Sequence, residues 1–213
     1  MLSPMKYFFN LFFLTLFFGV SLSLSAQDSI DILEDESNNY LERHPIYDHV
    51  EFQLNSTDTI PDFESKANKL KISGTIYLSD GVTPAKDVIL FIEQADEQGD
   101  FDLRTKDDKR YAYHRGWIKT DANGQYTFYT FLPGNDRRYN QLQQLFPSIK
   151  EPSKPAYDIE SFLFDEDPLL TKLCRKKITK KGDPTRILQP KKVDGLLVVT
   201  KDIVLNSGEE TSK

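Results

Sequence analysis

The densest set of side chains able to do chemistry lies in NDRRYNQLQQLFPSIKEPSK, Asn135–Lys154. It offers two arginines, a phenol, three glutamines and an aromatic ring: Arg137, Arg138, Tyr139, Gln141, Gln143, Gln144 and Phe146. Asp136, Tyr139, Asp158 and Glu160 add oxygen donors, the ligand type that hard metal ions prefer. Asp158 and Glu160 are two apart, so on a strand they share a face opposite Tyr157 and Ile159. A solvent-facing polar edge is the simpler reading of that pair. His114 and Arg115 are candidates for ligand contact, together with Arg138 and Tyr139; a salt bridge at a strand edge explains Arg115 equally well. His44 and His49 have no cysteine near them, which is weak support for a metal site. The sequence holds no Ser-His-Asp set, no phosphate-cradling glycine loop and no zinc-type Cys/His cluster.

These residues need elements to position them. LKISGTIYL alternates apolar and polar residues from Leu70, the pattern of a half-buried strand. Asp87–Glu93, DVILFIE, is a continuous apolar strand expected to be buried on both faces. Gly116–Thr120 and Gln125–Phe131 flank Asp121-Ala122-Asn123-Gly124, and Asn-Gly predicts a hairpin. Tyr157–Phe164, Gly195–Thr200 and Asp202–Leu205 complete the strands. One helix is expected from Asp167 as N-cap and Pro168 at the first helical position. Leu169, Leu170, Leu173 and Cys174 repeat at helical spacing, which makes Cys174 a core residue. Short strands separated by turn signals predict an all-β, antiparallel β-sandwich with this one short helix. Asn135–Lys154 reads as a long loop, and long loops on rigid sandwiches often carry binding.

The ends bound the rest. Residues 1–26 show a short charged start, an apolar run over Tyr7–Val20 and small residues up to Ala26, the pattern of a secretory signal peptide cut after Ser25 or Ala26. The run is shorter than a spanning helix needs, so an exported, periplasmic or secreted chain without a stable membrane span is expected. Residues 27–67 form an acidic, extended N-terminal arm, 68–206 the sandwich and 207–213 a polar tail. Cys174 is the only cysteine of the 213 residues, so no intrachain disulfide is available. A net charge of −6 argues against nucleic acid as a partner. The basic run Lys172–Lys192 reads first as a solvated helix end and loop, ahead of an anion-binding patch.

ISGTIYLSDGVTPAKDVILFIEQAD, HRGWIKTDANGQYTFYTFLPG and FDEDPLL, in this order and spacing, resemble the intradiol ring-cleavage dioxygenases, and in particular their small exported members. The resemblance covers Lys69 to Asn206 and implies a β-sandwich. It also implies a ferric ion held by two tyrosinates and two imidazoles, which a catechol would chelate before reacting with dioxygen. The first tyrosine of that set falls on Phe101, after Gly99-Asp100. The second falls on Asp136, after Pro133-Gly134-Asn135. The two histidines fall on Gln144 and Phe146 when Pro147 sets the register. A second alignment, on Lys154-Pro155-Ala156, puts them on Tyr157 and Ile159. Neither alignment supplies a histidine.

The expectation is therefore a noncatalytic, exported member with no cofactor, in which Phe101 and Phe146 fill the vacated pocket and the role is structural or binding. Its partner would be a small molecule, a glycan or a protein. The alternative is a ring-cleavage dioxygenase for catechol-type substrates, with ferric iron in a rebuilt site.

Overall fold

The structure, a computed structural model, describes residues 39–50 and 53–206. The leader read over 1–26, the start of the arm and the polar tail over 207–213 lie outside the described residues. Two six-stranded sheets pack face to face, beside a small two-stranded ribbon. The strands are β1 (Thr57–Thr59), β2 (Lys69–Tyr77), β3 (Ile89–Gln94), β4 (Leu103–Lys106), β5 (Lys109–Ala112), β6 (Arg115–Lys119) and β7 (Gln125–Phe131). They continue as β8 (Gln144–Lys150), β9 (Ala156–Asp158), β10 (Phe162–Phe164), β11 (Ile187–Leu188), β12 (Lys191–Val193), β13 (Leu196–Thr200) and β14 (Ile203–Val204). The first sheet runs β1-β7-β2-β13-β12, with β14 also on β2; the second runs β11-β10-β8-β3-β6, with β9 on β8.

The inward stripes follow the alternation in the sequence. Leu70, Ile72, Ile76, Tyr126 and Phe128 from the first sheet meet Leu90, Ile92, Ile118, Leu145 and Ile149 from the second in one core. The run Leu90-Phe91-Ile92 is buried on both faces, as expected for β3. Its outward residue, Phe91, is covered by Ile46 and Tyr47 of the arm rather than by the other sheet.

Four expectations need correction. First, the sandwich is mixed rather than wholly antiparallel: β1 runs parallel to β7, β13 and β14 parallel to β2, and β11 parallel to β10. Periodicity fixes a strand's face but not its partner's direction. Second, β6 and β7 do not pair with each other; β6 pairs with β3 and β7 with β2. Only Gly124 of the turn is left-handed, at φ 68°, whereas the tight two-residue turn signalled by Asn-Gly needs positive φ at both central positions. Asp121 instead accepts the amides of Asn123 and Gln125, and the carbonyl of Gly124 accepts from Ile76. The chain is thus passed from one layer to the other.

Third, the helix, α1 (Lys172–Lys181), starts at Thr171, whose side chain accepts from the Cys174 amide. Asp167 and Pro168 precede it. Leu173 is 76% exposed and Cys174 only half-buried, so neither is core. Fourth, β8 lies inside the segment read as a loop and stands between β3 and β10. A glutamine and a proline, Gln144 and Pro147, hid it. No helix among the described residues is long and apolar enough to cross a membrane.

The segment read as an arm enters the fold. Thr57–Thr59 adds a strand to β7, and the Pro45 carbonyl accepts the Trp117 indole N–H at 3.1 Å. Lys109 reaches across to Asp48 at 2.8 Å, with both side chains almost fully buried.

Candidate functional site

Two glycines bring the key segments together. Gly134 donates to the Asp96 carbonyl at 2.8 Å, and a Cβ placed on it would stand 2.4 Å from the Glu97 carbonyl oxygen. Gly99, at φ 90°, faces the Asn135 backbone, and a Cβ there would stand 2.8 Å from its carbonyl. Only the absence of side chains at both positions lets Gly99-Asp100-Phe101 lie against Gly134-Asn135-Asp136. Gln141 closes the arrangement by donating to the Gly99 carbonyl.

Asp136 is buried beside this junction. The Arg138 guanidinium grips both its carboxylate oxygens, at 2.7 to 3.1 Å, and reaches Asp100 at 3.5 Å. That side-chain hydrogen bond holds the Asp136 carboxyl below the usual range. Asp167, read from the sequence as a helix cap, has a different task. Its buried carboxylate accepts from Asn135 Nδ2, the Gln143 amide and the Leu169 amide, and so pins the entry to β8. Its position before a proline resembles an N-cap, and only the fold distinguishes the two roles.

Strand register then aligns Phe146 of β8, Glu93 of β3 and Arg115 of β6 in one row across the second sheet. Paired residues share a face, and this face looks away from the main core. Phe101 packs on Phe146 with ring centroids 5.7 Å apart, both half-buried. Gln144, two residues earlier on the same face, accepts from Ser161 Oγ at 3.1 Å. Burial raises the Glu93 carboxyl above its ordinary value, with Arg115 pulling the other way. Arg115 lies over the rings of Tyr111 and Trp117, at 4.0 and 4.8 Å, and its buried Nη1 has no hydrogen-bond partner among the described residues. Glu93 was read only as part of a buried strand; an acid ending an apolar run was the signal available.

The other candidates separate. His114 is buried edge-on to Phe131 at 5.0 Å, and neither ring nitrogen has a hydrogen-bond partner among the described residues. Burial, reinforced by Lys66, lowers its imidazole below the ordinary histidine value. Tyr139 is 79% exposed, touched on its face by its neighbour Arg138. No hydrogen bond or ion pair among the described residues joins His114 and Arg115 to Arg138 and Tyr139. Asp158 accepts from Ser148 Oγ at 2.6 Å, and Glu160 pairs with Arg186 at 2.7 Å. Both line a cavity of about 590 Å³ whose far side carries the Lys201–Asp183 pair. No group of three or more His, Cys, Asp or Glu that could hold a metal ion occurs among the described residues.

No protein-family model matches the chain, and no curated protein matches it. Solved structures do. The dioxygenase domain of a dioxygenase–carbohydrate-binding protein fusion from Streptomyces sp. SirexAA-E superposes with a TM-score of 0.55 at 20% identity, covering 72% of this chain and 88% of that one. An intradiol ring-cleavage dioxygenase from Tetranychus urticae gives 0.54 at 18% identity, over 72% and 86%. Catechol 1,2-dioxygenase from Acinetobacter sp. ADP1 gives 0.51 at 16%, over 71% of this chain and 57% of its own. The core has the fold of the intradiol ring-cleavage dioxygenases. At these identities the likeness establishes fold and leaves chemistry to the residues. Within this intradiol-type core, Phe101 and Phe146 meet, Asp136 is clamped by Arg138, and Gln144 is bonded to Ser161.

Proposed function

We propose that this protein is an exported, noncatalytic domain of intradiol-dioxygenase type, with a binding role in place of ring cleavage. The observation that carries the proposal is the Phe101–Phe146 pair, with ring centroids at 5.7 Å. A ferric shell needs anionic oxygen and imidazole donors, and two phenyl rings supply neither. The remaining two positions fit no better. Asp136 already accepts both arms of a guanidinium, and Gln144 is a neutral amide bonded to Ser161. The donor set does not suit ferric iron, so no reaction step is assigned to it. The apolar run ending in small residues before Gln27 supports export. Arg115, with a buried N–H unpartnered among the described residues and two aromatic rings beneath it, is the residue best placed to hold a polar ligand.

The test is metal content and the visible spectrum of the processed chain, purified from an exporting host grown with iron. The expected protein is colourless and iron-free. An intense visible charge-transfer band with about one iron per chain would overturn the proposal, because it requires tyrosinate bound to iron(III).

A further inference from the structure

We propose that the outward face of α1 docks on anionic phospholipid membranes. Leu173, Lys176, Lys177, Lys180 and Lys181 follow helical spacing i, i+3, i+4, i+7 and i+8, and all five are exposed. They form one stripe. The opposite side of the helix is fixed to the sandwich. Cys174, Arg175 and Ile178 are half-buried there, Arg175 forms an ion pair with Asp165, and its Nε donates to the Leu170 carbonyl at 3.2 Å. Thr171 caps the start of the helix. The stripe therefore faces away from the sandwich.

A solvated helix end accounts for only part of this. Lys180 and Lys181 lie in the last turn, where cations complement the helix dipole. Lys176 and Lys177 stand a turn earlier, and Leu173 leaves 76% of its surface in water. None of the four stripe lysines has an acidic partner among the described residues. Leu173 and the lysine stems line a shallow, open cleft of about 360 Å³ that is largely apolar. A soluble polyanion would use the charges and leave the cleft and Leu173 unused. A membrane of acidic lipids uses both: headgroups meet the lysines while Leu173 enters the acyl boundary. The chain carries a net −6, so the rest of the molecule is repelled by such a surface. That asymmetry selects α1 as the face that docks.

The experiment is sedimentation of the processed chain, purified from an exporting host, with two kinds of vesicle. One contains phosphatidylcholine alone, the other equal parts phosphatidylcholine and phosphatidylglycerol. Binding is expected only to the second and should fall as salt is raised. Lys176→Glu with Lys180→Glu should weaken it by at least about tenfold, and Leu173→Ser by about threefold. These positions are exposed, and an unchanged far-UV circular dichroism spectrum verifies folding. Absence of binding, equal binding to both vesicles, or variants that bind like the wild type would overturn the proposal. Capture by dextran sulfate without vesicle binding, insensitive to Leu173→Ser, would overturn it in favour of a charge-only polyanion site.

Discussion

His114, a candidate for ligand contact in the sequence, is packed against an aromatic ring in the fold. Its ring packs edge-on against Phe131 with no hydrogen bond among the described residues, and burial lowers its pKa, favouring the neutral form. In the unfolded chain it regains a pKa of about 6.5, so between that value and its lower folded value the unfolded state binds the extra proton. Its contribution to stability is intact above about 6.5 and declines as pH falls below it. Urea midpoints of wild type and His114→Phe, compared at about pH 7.5 and about pH 5.5, should show a smaller acid loss in the variant. An equal loss in both proteins would place the acid sensitivity elsewhere. Of the residues singled out from sequence, the pairing of Phe101 with Phe146 was legible, because an alignment of spacing placed both at one site. Glu93 and Asp167 were not, since what makes them notable is the register and the neighbours that reach them across the sheet.

Among the elements, the strand β8 and the surface that the arm covers were not legible in the sequence, for related reasons. Both segments lack a clean two-residue alternation: the arm is polar and acid-rich, and β8 carries Gln144 and Pro147 among its apolar residues. Each is ordered by surfaces made elsewhere. Ile46 is wholly buried against Phe91, on the outer face of β3. Ile46→Ala should therefore cost about 2–5 kcal/mol. The loss should register equally in far-UV circular dichroism and in the fluorescence of Trp117, the only tryptophan in the chain. If only the fluorescence shifts, the arm separates from the sandwich before it melts, and its packing is not part of the cooperative core. The strands with regular alternation, β2 and β7 above all, were legible because one face of each meets the core.

Over the whole molecule, the layers are closed by segments distant in sequence. β2 holds β7 on one side and β13 with β14 on the other, while β1 extends the same sheet from the arm. The leader read over residues 1–26 is tested by processing: N-terminal sequencing of the chain recovered from an exporting host should begin at Ala26 or Gln27. A chain that retains Met1 or Met5 would remove export from the proposed function.

Strand faces, the position of the Gly124 turn, the presence of one short helix and a sandwich of intradiol type followed from sequence alone. Each rests on local periodicity, on one backbone angle or on a motif of fixed spacing. Strand direction, the passage of β6 and β7 into opposite sheets, the start of α1 and the docking of the arm were decided only in three dimensions. These depend on which surfaces remain to be covered once the sheets have formed. The lysine stripe on α1 belongs to both kinds of evidence. Its charges stand in the sequence, but only the half-buried side of the helix shows that they face outward together.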